Sequence, residues 1–126
     1  MRRVIQTAQA PAPIGPYSQA IVHSPFVFTA GQIGLDPSTG NLVSGGVEAE
    51  TRQALRNVKA IIEAAGGRME DIVKTTVLLA DIRDFAAFNS VYAESFPQRP
   101  PARSTIQAGA LPAGARVEIE AIASWS

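Results

Sequence analysis

One amphipathic stripe limits what this chain can fold into more than any other feature. Over residues 47–65, Thr51, Ala54, Leu55, Val58, Ile61, Ile62 and Ala65 recur at three- and four-residue spacing, which puts them on one face of an α-helix. Gly66-Gly67 follows directly and stops the helix, because glycine enters the left-handed conformation without steric cost. Such a helix must bury its stripe against another layer, and the rest of the chain supplies strands. Val4 and Ile5 read as a short first strand. Residues 18–23 and 26–33 are rich in β-branched and aromatic side chains on either side of Ser24-Pro25, a hairpin pattern closed by a turn signal. Asp36-Pro37-Ser38-Thr39-Gly40 makes a second turn, with proline setting φ and glycine free to take φ > 0.

Beyond the helix, Ile72 to Leu79 is dominated by Val, Thr, Ile and Leu and reads as a buried strand. Asp84 is the expected N-cap of a second helix running through Phe85, Phe88, Tyr92 and Phe96, which Pro97, Pro100 and Pro101 end. Residues 102–107 and 117–124 are the last two strands, joined by a Gly/Pro/Ala-rich loop over 108–115. The order β-β-β-α-β-α-β-β predicts an α+β chain, and 126 residues suit one core and hence one domain over residues 1–126. Two helices cover one face of such a sheet, so the other face meets solvent or another subunit. On the last strand Val117, Ile119, Ala121 and Ala123 point to the helices, while Glu118, Glu120 and Ile122 point away. A face mixing acids with Ile122 reads as an oligomer interface, the alternative being a plain solvated face.

Composition removes several function classes. Eleven basic residues balance eleven acidic ones, so no net field holds a polyanion or a membrane surface, and neither nucleic acid nor membrane is an expected partner. No apolar run approaches the roughly 20 residues of a membrane span, and a cytoplasmic location is expected. With no cysteine and a single histidine, His23 in a turn, no transition-metal site is expected. Gly45-Gly46 precedes the long helix, but the Gly-x-Gly-x-x-Gly and Gly-Lys-Ser/Thr patterns are absent. No cofactor is expected.

The residues that can carry chemistry are few. Arg103 follows two prolines and opens a strand, and its planar, permanently charged fork suits a carboxylate. By residue type alone it stays open between an anchor and a salt-bridged surface group. Glu118 and Glu120 share a strand face, roughly 7 Å apart. In such a pair one acid commonly neutralises an arginine while the other is solvated; if the last two strands are neighbours, Arg103 and one of these glutamates meet. Tyr17 is presented by a loop stiffened by Gly15 and Pro16, and Asn89 lies beside the apolar stripe of the second helix. A packed loop tyrosine and a solvated asparagine are the plain alternatives.

Taken together, Ile14-Gly15-Pro16-Tyr17-Ser18-Gln19, Ala30-Gly31-Gln32-Ile33, Asn57-Val58-Lys59-Ala60-Ile61, Pro101-Ala102-Arg103-Ser104 and Val117-Glu118-Ile119-Glu120-Ala121-Ile122-Ala123 resemble the RidA family, also called the YjgF family of imine deaminases. The resemblance runs almost end to end. It implies a chorismate-mutase-like α+β fold with a single mixed six-stranded sheet and two helices on one face, assembled as a homotrimer with clefts between subunits. It also implies hydrolysis of reactive enamine and imine intermediates, such as 2-aminoacrylate or 2-iminobutyrate, to 2-oxo acids and ammonia. By position, Arg103 matches the arginine that holds the substrate carboxylate and Glu118 the glutamate that orients the attacking water. Tyr17, Gly31 and Asn89 match residues lining the same pocket, which Thr105 also joins.

Two departures stand out. Many members carry Ser where this chain has Ala30 and Cys where it has Thr105. Losing the Ala30 hydroxyl bears on rate or substrate preference; the Thr105 exchange bears less, since the implied chemistry uses no thiol. Two other functions compete with imine deamination: a small-carboxylate binder without turnover, and a ribonuclease or translation inhibitor. Zero net charge and the absence of a histidine pair weigh against the last.

Overall fold

The computed structural model describes residues 1–125. Six strands form one mixed sheet: β1 (Arg2–Ile5), β2 (Ala20–His23), β3 (Phe26–Thr29), β4 (Ile72–Leu79), β5 (Ala102–Gln107) and β6 (Val117–Ser124). Two helices, α1 (Gly46–Ala64) and α2 (Phe85–Ser95), accompany them. The expected element order holds. The strands lie in the order β1-β2-β3-β6-β4-β5, all antiparallel except β4 beside β5. That parallel pair is bridged by α2, since parallel neighbours need a crossover rather than a hairpin.

Helix α1 buries the stripe read from the sequence: Ala54, Val58, Ile61 and Ile62 have no exposure and pack with Val27, Val77, Val117 and Ile119 of the sheet. Truncating one of the large members, Ile61 for example, costs about 2–5 kcal/mol through lost burial and the cavity left behind. The helix ends as expected. Gly66 takes φ 101°, its N–H donates to Glu63 O and the Gly67 N–H to Ile62 O, both at 3.0 Å, so two orphan carbonyls of the last turn are satisfied. Gly67 is required for a different reason, because a Cβ there would lie 2.5 Å from the Trp125 ring.

The structure corrects two local expectations. Asp84 is the N-cap residue of α2 as expected, but its side chain accepts no capping bond; Asp81 instead caps the short 3-10 turn before the helix, accepting from the Arg83 N–H at 2.9 Å. The strand expected over residues 26–33 ends at Thr29. The chain steps out at Ala30 and Gly31, then rejoins β6 where the Gln32 and Ile119 backbones exchange hydrogen bonds of 2.8 and 2.9 Å.

Alternation along β6 is as read from the sequence: Val117, Ile119, Ala121 and Ala123 are buried beneath the helices. Among the described residues the opposite face carries no helix. There Val4, Ile21, Phe28 and Ile122 form one cross-strand row over β1, β2, β3 and β6, with Val4 and Phe28 substantially exposed. Among the described residues no helix is long and apolar enough to cross a membrane.

Candidate active site

Glu118 stands on the open face of β6 at a cleft of about 340 Å³, whose walls include Pro11, Tyr17, Ala30, Gly31 and Pro112. Two buried amides, Gln19 and Asn57, build this cleft. Gln19 Nε2 donates to the carbonyls of Thr7, Ala10 and Pro11, and its Oε1 accepts from the Thr7 N–H at 2.7 Å. This cross-links the proline-rich loop to β2, so the wall carrying Tyr17 is held although it has little regular structure. Asn57, on α1, donates to Ile33 O at 3.1 Å and Leu35 O at 2.9 Å, fixing the opposite wall. Both residues lay within the family-like segments of the sequence. Their positioning role was not legible there, because it depends on which carbonyls the fold brings to them.

Gly31 is shaped to its neighbour. A Cβ at this position would come 2.5 Å from Glu118 Oε2 and 2.8 Å from its Cδ, so only the missing side chain lets the carboxylate lie against the backbone. Among the described residues the Glu118 carboxylate has no ion-pair partner. Burial raises its pKa above the ordinary carboxylate value, and the neighbouring charge of Glu120 adds to the rise. Such a group takes up a proton more readily than a solvated acid, which suits proton transfer to and from water.

Arg103 lies elsewhere. The condition under which Arg103 would meet one of the glutamates, β5 beside β6, is not met: β4 runs between them, because β4 pairs β6 on one side and β5 on the other. Arg103 aligns with Thr75 of β4, which aligns in turn with Ala121 of β6. Thr75 and Ala121 both face the helices, so Arg103 does as well. Glu118 points the other way. Within one chain the two candidates occupy opposite faces of the sheet, and among the described residues no arginine pairs with Glu118 or Glu120.

The arginine instead sits against α2. Its guanidinium carbon lies 4.8, 5.4 and 5.5 Å from the ring centroids of Tyr92, Phe88 and Phe85. Ring quadrupoles attract the cation by about 0.5–1 kcal/mol per contact at exposed sites, and by more when water is excluded. Asn89 shares this face of α2 with Phe85 and Tyr92, as helical spacing requires. Thr105 is two residues beyond Arg103 on the same side of β5. Asn89 Oδ1 and Thr105 Oγ1 are buried without a hydrogen-bond partner. Unsatisfied buried polar atoms are uncommon and call for an explanation; here both belong to the arginine cluster, where a bound ligand or a second chain would supply partners.

The candidate residues thus fall into two groups. Tyr17, Gly31 and Glu118 gather on the open face; Arg103, Thr105 and Asn89 gather at the sheet's β5 edge. His23 is exposed at the end of β2, apart from both. Glu120 is an exposed neighbour of Glu118, and among the described residues no group of His, Cys, Asp and Glu converges as a metal site.

The sequence profile of the endoribonuclease L-PSP family matches residues 7–125. The human protein named 2-iminobutanoate/2-iminopropanoate deaminase is 54% identical over 123 residues, covering 98% of this chain and 90% of the relative. A RutC family protein of Pyrococcus horikoshii is 53% identical over 98% of both chains. Among solved structures, RidA from an Antarctic Psychrobacter superimposes with a TM-score of 0.94 at 45% identity, covering 98% of this chain and 99% of that one. E. coli TdcF with bound serine gives 0.93 at 42% identity, with the same coverage. A match of profile, sequence and fold along nearly the whole length means that this chain belongs to the endoribonuclease L-PSP family, the family of YjgF and RidA.

Proposed function

We propose that the protein hydrolyses 2-imino acids to 2-oxo acids and ammonia, at sites formed between the subunits of a chorismate-mutase-like homotrimer. The observation carrying this reading is the division into half-sites. A carboxylate anchor faces the helices at one sheet edge, and a carboxylate of raised pKa faces outward from a cleft on the other side of the sheet. If the β5 edge of one protomer meets the open face of the next, anchor and acid converge on one ligand. Such a contact joins unlike patches, and a heterologous contact closes into a ring. The apolar row Val4, Ile21, Phe28 and Ile122 would be covered by the same assembly.

The chemistry follows from the groups. Arg103 donates two parallel hydrogen bonds to the substrate carboxylate. Glu118 accepts a proton from water while the water oxygen bonds to the imine carbon and the C=N π electrons move to nitrogen. With the imine protonated at the start, the proton then passes from Glu118 to that nitrogen, the C–N bond breaks as ammonia leaves, and the hydroxyl closes to C=O as its proton passes to the departing ammonia. A protonated imine is already electrophilic, so orientation of water and carboxylate supplies most of what the protein must add. The human relative's name, 2-iminobutanoate/2-iminopropanoate deaminase, names this substrate class. The family description also carries the word endoribonuclease, but zero net charge and an isolated, exposed His23 offer RNA neither a field nor an acid-base pair.

A coupled assay decides the matter: an amino-acid oxidase generates the imino acid, and its decay is followed with and without the protein. Acceleration by the wild type and its loss in Arg103→Ala are expected. No acceleration, or full activity in Arg103→Ala, would overturn the reading.

A further inference from the structure

A carboxylate-binding arginine must be held in place without being neutralised. Among the described residues Arg103 enters no ion pair, and what surrounds it is aromatic. A carboxylate partner would occupy its N–H donors, whereas aromatic rings within 5.5 Å of the guanidinium carbon hold the cation without a carboxylate and so leave donors for a ligand. Tyr92 is the nearest ring, 4.8 Å from the guanidinium carbon. It is itself held from three directions: Phe88 and Phe96 pack against it at centroid distances of 5.2 and 4.7 Å, and its hydroxyl lies 2.7 Å from Thr75 Oγ1 in a buried hydrogen bond.

Thr75 is also the residue of β4 that stands beside Arg103 in the parallel register. A closed circuit results: the Arg103 backbone is paired to the strand carrying Thr75, Thr75 holds Tyr92, and the Tyr92 ring lies against the Arg103 guanidinium. We propose that Tyr92, anchored through its hydroxyl to Thr75, is the positioning residue that aims Arg103 at the substrate carboxylate. This rests on Arg103 being the carboxylate anchor of the reaction proposed above.

The test compares Tyr92→Phe, which keeps the ring and loses its anchor, with Thr75→Val, which removes the anchor from the other side, and with Thr75→Ser, which restores it. Carboxylate binding acts on ground state and transition state alike, so KM should rise with kcat unchanged. Both Tyr92→Phe and Thr75→Val should raise KM, and the calorimetric Kd for 2-oxobutyrate, by about two- to fivefold. The double variant should be no worse than either single one, and Thr75→Ser should behave as wild type. The Arg103 Nε–H resonance, shifted by the ring current in the wild type, should move in both impaired variants. Unchanged KM, Kd and resonance in Thr75→Val and Tyr92→Phe would overturn the proposal, as would a fall in kcat at constant KM, the mark of fewer folded molecules. If Tyr92→Phe does not fold, Thr75→Val and its serine rescue carry the test alone. A wild type without deaminase activity would count against the function, while the Kd and resonance comparisons still decide the role of Tyr92.

Discussion

Gly31 and Glu118 are fitted to each other: the glycine's missing Cβ leaves the space in which the carboxylate lies, 2.5 Å from where that atom would be. Gly31→Ala should therefore displace the far end of Glu118 while leaving the sheet intact. Misplacing a catalytic group by about 1 Å costs on the order of 100-fold in rate, so we expect kcat to fall about 10- to 100-fold with the melting temperature little changed. Steady-state kinetics beside a thermal melt would check this; wild-type kcat would show that the carboxylate needs no such seat.

Burial first, and the charge of Glu120 second, raise the pKa of Glu118. If the ionised form orients water, activity should fall on acidification at a higher pH than an ordinary carboxylate would give. Glu120→Gln should shift that limb to lower pH. Stability should respond with the opposite sign. A folded-state pKa above the unfolded value means that the contribution of Glu118 is fully favourable below the unfolded pKa and is lost as pH rises through the folded one. Glu118→Gln should therefore melt higher than wild type at neutral pH, the difference shrinking on acidification toward the ordinary glutamate pKa of about 4.3.

Because Arg103 and Glu118 face opposite sides of the sheet, neither variant alone should leave an active site when each site needs one residue from each of two chains. Mixed and reassembled, inactive Arg103→Ala and Glu118→Ala chains should regain activity. In a randomly mixed ring about one quarter of the sites combine both wild-type residues. Recovery near that fraction, with light scattering at three times the 13.3 kDa chain mass, is the expected result. No recovery despite demonstrated mixing would place both residues in one chain's site.

Glu50 is 1% exposed and accepts from both the Arg116 backbone N–H at 2.8 Å and its guanidinium at 2.7 Å. Arg116→Ala strands this carboxylate in the core beside Gly34. Breaking a fully buried pair costs about 3–5 kcal/mol, but the Arg116 side chain is 55% exposed and the backbone bond survives, so about 2 kcal/mol is expected here. Urea denaturation measures it, and a smaller loss in Glu50→Gln than in Arg116→Ala would identify the stranded charge as the cause.

Local chemistry made much of the molecule legible in advance. The α1 stripe and its glycine stop, the burial alternation of β6 and the stiff proline entry to β5 follow from spacing and residue type alone, whereas the shortlist of Arg103, Glu118, Tyr17, Gly31, Asn89 and Thr105 is what the resemblance to the RidA family implies, residue type alone leaving Arg103 open between an anchor and a surface group. The misread details share a cause. Asp84 takes the N-cap position of α2 as expected, but that its side chain makes no capping bond while Asp81 makes one for the 3-10 turn before it depends on a turn geometry that composition does not encode. The strand over 26–33 breaks where Gly31 yields to Glu118, a residue far along the chain.

What only the tertiary structure decided is the partition of the site. Strand order is set by pairings between distant segments, β3 with β6 and β4 with both β5 and β6, and inserting β4 between the last two strands separates Arg103 from Glu118. Pleating then sends them to opposite faces, since residues aligned across a sheet share a face and successive residues alternate. Sequence spacing determines which side chains share a face within one element. Which elements become neighbours, and hence that Arg103 rests on aromatic rings while Glu118 lines a cleft on the open face, is decided by long-range packing, which no local pattern carries.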